Sequence, residues 1–144
     1  MKNILISACL FGVNCRYDAK SKPNKDVLKL KEKYNCILVC PEVAGGLPTP
    51  RKPSEIVGSR VLMCDGTDVT EQYKKGALLT LKTAQENGCS VAILKARSPS
   101  CGKGFVCDGT YTGTLTKGNG VTAEYLLDNG ITVYDETEIN KLEL

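Results

Sequence analysis

Eight cysteines and no histidine stand among 144 residues. That pairing of facts narrows the chemistry at once. Without imidazole, neither a Cys–His catalytic pair nor a zinc–imidazole site can form. Proton transfer must fall to Glu, Asp, Lys, Tyr or Cys. Three of the thiols follow apolar runs. "NILISA" leads into Cys9, "CILVC" ends on Cys40, and "CSVAILKA" is followed by "RSPSCGKG", which holds Cys101. A thiolate is both a nucleophile and a soft metal ligand.

A closed zinc site wants four N or S ligands, often as Cys-x-x-Cys knuckles, and no such pair occurs. Iron–sulfur clusters are also held by thiolates, usually four. With three, one iron keeps an open position and can act as a Lewis acid. Cys9, Cys40 and Cys101 are the candidate ligands. Cys15, in the loop after Cys9, is a possible fourth that would close the site. Cys36, Cys64, Cys89 and Cys107 read as core filling or incidental placement, since free cysteine is among the most buried residue types. Glu42, two residues after Cys40, is the candidate acid–base group. Gly45 and Gly46 leave room for backbone to approach a ligand. "SPSCGKG" offers backbone N–H groups as an anion nest. No phosphate-binding glycine fingerprint is present, which leaves a nucleotide site unsupported.

The elements that would position these residues follow from periodicity. Residues 3–8, 36–40, 89–96 and 131–135 read as buried strands. Residues 25–34 and 120–130 read as helices. The clearest helix covers 70–88, with Thr70 as its cap, Leu78, Leu81 and Ala84 as an apolar stripe, and Gly88 at its end. Residues 41–53 contain four prolines and two glycines and read as irregular. Residues 59–70 suggest two short strands around the Asp65-Gly66 turn. Residues 105–116 resemble a second hairpin, and 136–144 a short closing helix. Strands alternating with helices predict an α/β fold: a single domain over 1–144, a mainly parallel sheet with helices on both faces, Rossmann-like, plus short hairpins. In such sheets ligands bind beyond the carboxyl ends of the strands. If the strands run parallel, Cys9, Cys40 and Cys101 meet at one edge.

Composition excludes other classes. A net charge of +3 is too mild to argue for nucleic acid or an anionic membrane. No apolar run approaches the ~20 residues that span a bilayer. "ISAC" looks like a lipoprotein cleavage box, but too few residues precede Cys9 for a signal peptide. A cytoplasmic protein with reduced thiols is the expectation.

Three blocks carry a resemblance: "SACLFGVNCRYD" (7–18), "CPEVAGGLPTPRKPSEI" (40–56) and "KARSPSCGKG" (95–104). In this order and spacing they resemble the TudS-type thiouracil desulfidases. The likeness runs from Ile4 to about Tyr134. It implies an oxygen-sensitive [4Fe–4S] cluster held by Cys9, Cys40 and Cys101, with the fourth iron free to take the substrate's sulfur. It implies a small thiolated pyrimidine such as 2-thiouracil as substrate, with uracil and sulfide as products and no net redox change. It also implies Glu42 and Ser98 as the active-site acid–base pair. Longer relatives of this kind carry a second domain and act on thiolated uridine. This chain ends too early for one, so neither tRNA nor other nucleic acid is expected as partner, and a monomer or homodimer is. The reading from another class is a non-catalytic iron–sulfur or zinc thiol module, a redox sensor or carrier.

Overall fold

The fold is that of a computed structural model, which describes residues 1–142. In chain order the strands are β1 (Lys2–Ser7), β2 (Tyr34–Val39), β3 (Ser54–Val57), β4 (Arg60–Met63), β5 (Val91–Leu94), β6 (Phe105–Cys107), β7 (Leu115–Lys117) and β8 (Thr132–Asp135). The α-helices are α1 (Lys25–Leu28), α2 (Pro41–Ala44), α3 (Thr70–Glu86) and α4 (Val121–Asp128). The central sheet has the order β2-β1-β5-β8, and every neighbouring pair is parallel. Two antiparallel hairpins, β3–β4 and β6–β7, stand apart from it.

Side chains alternate across the sheet, so each strand feeds two cores. Leu5, Ala92, Leu94 and Val133 pack with Leu81 and Ala84 of α3 and with Ala123 and Leu126 of α4. Ile4, Ile6 and Ile93 pack with Val27 and Leu30 on the other side, joined by Ile139 and Leu142. Both faces are therefore covered, which is why the strands read as continuous apolar runs. The expected single α/β domain with a parallel sheet is what forms.

The connections set the site. From β1 the chain crosses through α1 to β2 on one side. From β2 it returns through α2, the first hairpin and α3 to β5 on the other side of β1. The crossovers diverge between β1 and β5, the switch point at which open α/β sheets leave a crevice.

Several local expectations are corrected. Residues 41–44 form one helical turn despite the prolines, because Pro41 occupies its first position, where a missing N–H leaves nothing unsatisfied. The first hairpin lies earlier than expected and turns at Gly58, while Asp65-Gly66 makes a turn after β4. Thr70 is not the cap of α3. It is the first helical residue, and its hydroxyl accepts the Val61 N–H, tying α3 to β4. Leu78 is exposed, and the buried stripe runs through Tyr73, Ala77, Thr80, Leu81 and Ala84. Residues 29–32 form a 3-10 turn, so β2 starts earlier than expected, at Tyr34. The closing segment is a 3-10 turn at Ile139–Lys141. The last two residues of the expected closing helix, 143–144, lie outside the described residues.

Candidate active site

A cavity of about 350 Å³ opens beyond the carboxyl ends of β1, β2 and β5. Its size suits a small-molecule site. Cys9, Cys40 and Cys101 all line it, and so do Cys15, Glu42 and Ser98. Three loops deliver them. Cys9 sits in the 3-10 turn Ala8–Phe11 directly after β1, which Gly12 closes with a left-handed φ of 90°. Cys40 is the residue before α2, and Glu42 lies in that helix's first turn. Cys101 sits in the tight turns after β5.

The three thiols differ in their surroundings. Cys101 is buried, and the Ser7 hydroxyl donates to its sulfur at 3.5 Å. Burial pushes its pKa up to about 12, with the charges of Glu42 and Cys40 adding to the rise. The Cys40 thiol donates to the Cys15 carbonyl at 3.6 Å. Its pKa rises strongly, through the hydrogen bond with Cys15 first and burial second. The Cys15 side chain is hydrogen-bonded with both Cys40 and Cys9. The bond with Cys40 lowers its pKa, but the bond with Cys9, burial and the charge of Cys9 outweigh that and raise it. Their raised pKa values keep Cys15, Cys40 and Cys101 as neutral thiols at neutral pH, and a metal centre would strip the proton from any that ligate it.

Glu42 is held rather than loose. Arg51 donates to its Oε2 from Nε at 3.0 Å and again from Nη2. The hydroxyl of Tyr73, a buried residue of α3, is placed to interact with Glu42 and Ser54. Burial, and then the Glu42 charge, push the Tyr73 pKa well up, so it remains a proton donor at neutral pH. Ser98 has a different constraint. Its Oγ accepts the backbone N–H groups of Ser100 and Cys101, each at 3.1 Å. With both lone pairs engaged, what the hydroxyl still has to give is its proton. Arg97 beside it has a left-handed φ of 69°, uncommon for a non-glycine residue, and bridges to Val106.

Several participants escape a reading of residue type and spacing. Ser7 accepts the Lys95 N–H at 2.9 Å while donating to Cys101, so one hydroxyl couples β1 to the loop after β5. Arg51, Tyr73 and Glu55 also line the cavity. Glu55 is buried and accepts the N–H groups of Gly109 and Tyr111, which folds the 108–112 loop over β3. Cys107, expected as filler, is on the cavity wall. Cys36, Cys64 and Cys89 are not. Gly45 does allow a close approach, but to the backbone of α3 rather than to a ligand: a Cβ there would lie 2.0 Å from the Gln72 carbonyl oxygen.

Five cationic side chains, Arg16, Arg51, Lys52, Lys95 and Arg97, line the cavity against two carboxylates, Glu42 and Glu55. Four of the five are ion-paired: Arg16 with Asp18, Arg51 with Glu42, Lys52 with Asp65 and Lys95 with Glu136. Among the described residues, no three Cys, Asp or Glu side chains are gathered tightly enough for one metal ion. The donor set is thiol throughout, without imidazole, and it is spread over a cavity.

Comparison with known proteins bears on this arrangement. Residues 4–138 match the family described as 2-thiouracil desulfurase. The Bacillus subtilis (strain 168) protein YbbK, itself described as uncharacterized, is 40% identical over 149 residues, covering 96% of this chain and 99% of that one. A solved structure described as the [4Fe-4S]-dependent thiouracil desulfidase TudS matches with a TM-score of 0.93 and 40% identity, over 99% of this chain and 95% of that one. Sequence and fold agree across nearly the full length, and the protein belongs to the 2-thiouracil desulfurase family.

Proposed function

We propose that the protein is a [4Fe–4S]-dependent desulfidase. It exchanges the sulfur of 2-thiouracil, or of a related thiolated pyrimidine, for the oxygen of water. The thiocarbonyl and one water give a carbonyl and one hydrogen sulfide, with no electron transferred. The observation that carries this is the set of Cys9, Cys40 and Cys101 around one cavity that also holds Glu42 and Ser98.

The residues present fit the cofactor. Thiolates are its usual ligands, and the cavity's donor set is thiol without imidazole. Cys9, Cys40 and Cys101 would hold it, and Cys15 would stay a neighbour. When bound, the cluster supplies a soft Lewis acid suited to a substrate sulfur. The chain's own groups do the rest. Val39, Pro41 and Pro99 give the planar ring apolar wall. Glu42 takes a proton from the attacking water, and its fixed carboxylate sets the direction of approach. Ser98 donates a hydrogen bond to a ring heteroatom as negative charge develops there. A free small molecule, not tRNA, suits a cavity of this size. The eight unpaired thiols suit a reducing, cytoplasmic setting. Among the described residues no helix is long and apolar enough to cross a membrane. The working unit is one domain, as monomer or homodimer.

Anaerobic reconstitution tests the reading. The expected product is a brown protein with about four irons per chain, which releases sulfide from 2-thiouracil. Cys101→Ala loses the cluster, whereas Cys15→Ala keeps it. A colourless protein holding one zinc, with no sulfide released, would overturn the proposal in favour of a carrier or sensor. Loss of iron in Cys15→Ala with iron retained in Cys101→Ala would overturn the ligand assignment.

A further inference from the structure

Arg51 is the most thoroughly engaged side chain at the cavity. Its side chain is only 3% exposed. A guanidinium has five N–H donors in a rigid fork and no acceptor. Here all five have a partner within the protein. Nε donates to Glu42 Oε2 at 3.0 Å, and Nη2 donates to the same oxygen and to the Cys15 carbonyl at 3.1 Å. Nη1 donates to the Pro48 carbonyl at 3.2 Å and to Thr49 Oγ1 at 3.3 Å. The Arg51 backbone N–H also reaches the Tyr17 carbonyl at 2.8 Å. Burial works against the charge, but Glu42 beside it outweighs that and raises the Arg51 pKa.

Two consequences follow. No donor remains for a substrate, so Arg51 is not a binding group. Both Arg51 bonds to Glu42 fall on Oε2, so neither engages Oε1. An ionised carboxylate offers about four acceptor sites, so acceptor capacity remains on Oε1 for a water in the cavity. We infer that Arg51 is a positioning residue: it fixes the Glu42 carboxylate in one orientation through Oε2 and locks it to the Cys15–Tyr17 loop, so that Oε1 is left for the reacting water. This rests on the reading of Glu42 as the group that takes the proton. A lysine cannot reproduce it, because an ammonium is a point donor without the planar fork.

The test uses reconstituted holoenzyme with 2-thiouracil. Arg51→Met and Arg51→Lys are compared with Glu42→Gln and with the Arg51→Met, Glu42→Gln double variant. Iron content, the melting transition, kcat and KM are read for each. The expected result is full iron loading, KM unchanged within about twofold, and kcat lowered on the order of a hundredfold in Arg51→Met, as for a displaced catalytic group. Arg51→Lys falls nearly as far. Added guanidinium ion restores part of kcat to Arg51→Met and none to Glu42→Gln. In the Glu42→Gln background, Arg51→Met costs at most a further twofold or so, because the two residues act as a unit. Wild-type kcat in Arg51→Met beside an inactive Glu42→Gln overturns this inference and leaves Glu42 in place. Full activity in Glu42→Gln overturns the role of Glu42 itself, and the inference with it. Failure of both Arg51 variants to fold or to load iron, or equal losses with and without Glu42, makes Arg51 a structural tie and also overturns it.

Discussion

Ser98 shows how a single side chain acquires a direction. The hydroxyl oxygen is engaged by two N–H groups of the turn that carries Cys101. The same bonds that shape the Cys101 loop therefore turn Ser98 into a donor. Ser98→Ala removes the cap and the donor together. By analogy with helix caps, it should cost about 0.5–2 kcal/mol of stability, measurable by denaturant titration, and should lower kcat as well. Ser98→Thr keeps the hydroxyl and should retain most of both. If Ser98→Ala lost stability but kept full kcat, the donor role would be wrong and the cap would remain. Ser98 as a site residue was visible in the sequence only through the block that resembles a family. Its engaged lone pairs were not visible, because they depend on a turn whose dihedral angles no residue type dictates.

At the level of elements, the position of Glu42 rests on two glycines. Helix α2 is a single turn, too short to be stable alone. It is held against α3 by direct backbone contact. A Cβ on Gly76 would lie 2.0 Å from the Pro41 carbonyl oxygen, and one on Gly45 would lie 2.0 Å from the Gln72 carbonyl oxygen. Gly76→Ala must push the two helices apart. It should cost about 1–3 kcal/mol, the usual range for overpacking, and should lower kcat through misplacement of Glu42. A Gly76→Ala protein with unchanged stability and activity would show that the α2–α3 contact is not what seats Glu42. Periodicity revealed α3 because a long amphipathic pattern repeats. It did not reveal α2, where prolines and glycines masked a turn that tertiary contact stabilises. The misplaced hairpin has a similar cause: Asp65-Gly66 is a strong local turn signal, yet the β3–β4 pairing that buries Glu55 forms around Gly58 instead.

Across the whole molecule, one end of the sheet is a collection point, and ties between distant segments keep it closed. Lys95 pairs with Glu136 at 3.0 Å, and Lys103 with Glu138 at 3.4 Å. These join the loop after β5 to the segment after β8. Burial tends to raise the Glu138 pKa, but bonds from Lys141, the Asp135 N–H and Lys103 outweigh it and leave the pKa below the usual Glu value. A carboxylate with a depressed folded pKa stabilises the protein above its unfolded pKa. That contribution is lost as pH falls through the folded value. Glu138→Gln should therefore lower the melting temperature at neutral pH and lower it less at acid pH, as the wild-type carboxylate takes up its proton. A Glu138→Gln loss of the same size at both pH values would mean that shape, not charge, fixes this segment.

The sequence alone determined the chemical alphabet and the architecture. Eight thiols without imidazole restrict the metal chemistry. Apolar strands alternating with helices require a covered parallel sheet, and a parallel sheet sends the loops after its strands to one end. That is why Cys9, Cys40, Glu42 and Cys101 were legible as a group, with Ser98 added by the family resemblance. The tertiary structure alone decided which neighbours orient them. Ser7 and Glu55, and Arg51 through its bond to Cys15, act across long sequence separations, and Tyr73 reaches Glu42 from α3; their partners are chosen by the packing of separate elements. Residue type and local periodicity describe what a side chain can do. Its partner is fixed only when the chain closes, because directional bonds depend on distances set by contacts between residues far apart in sequence.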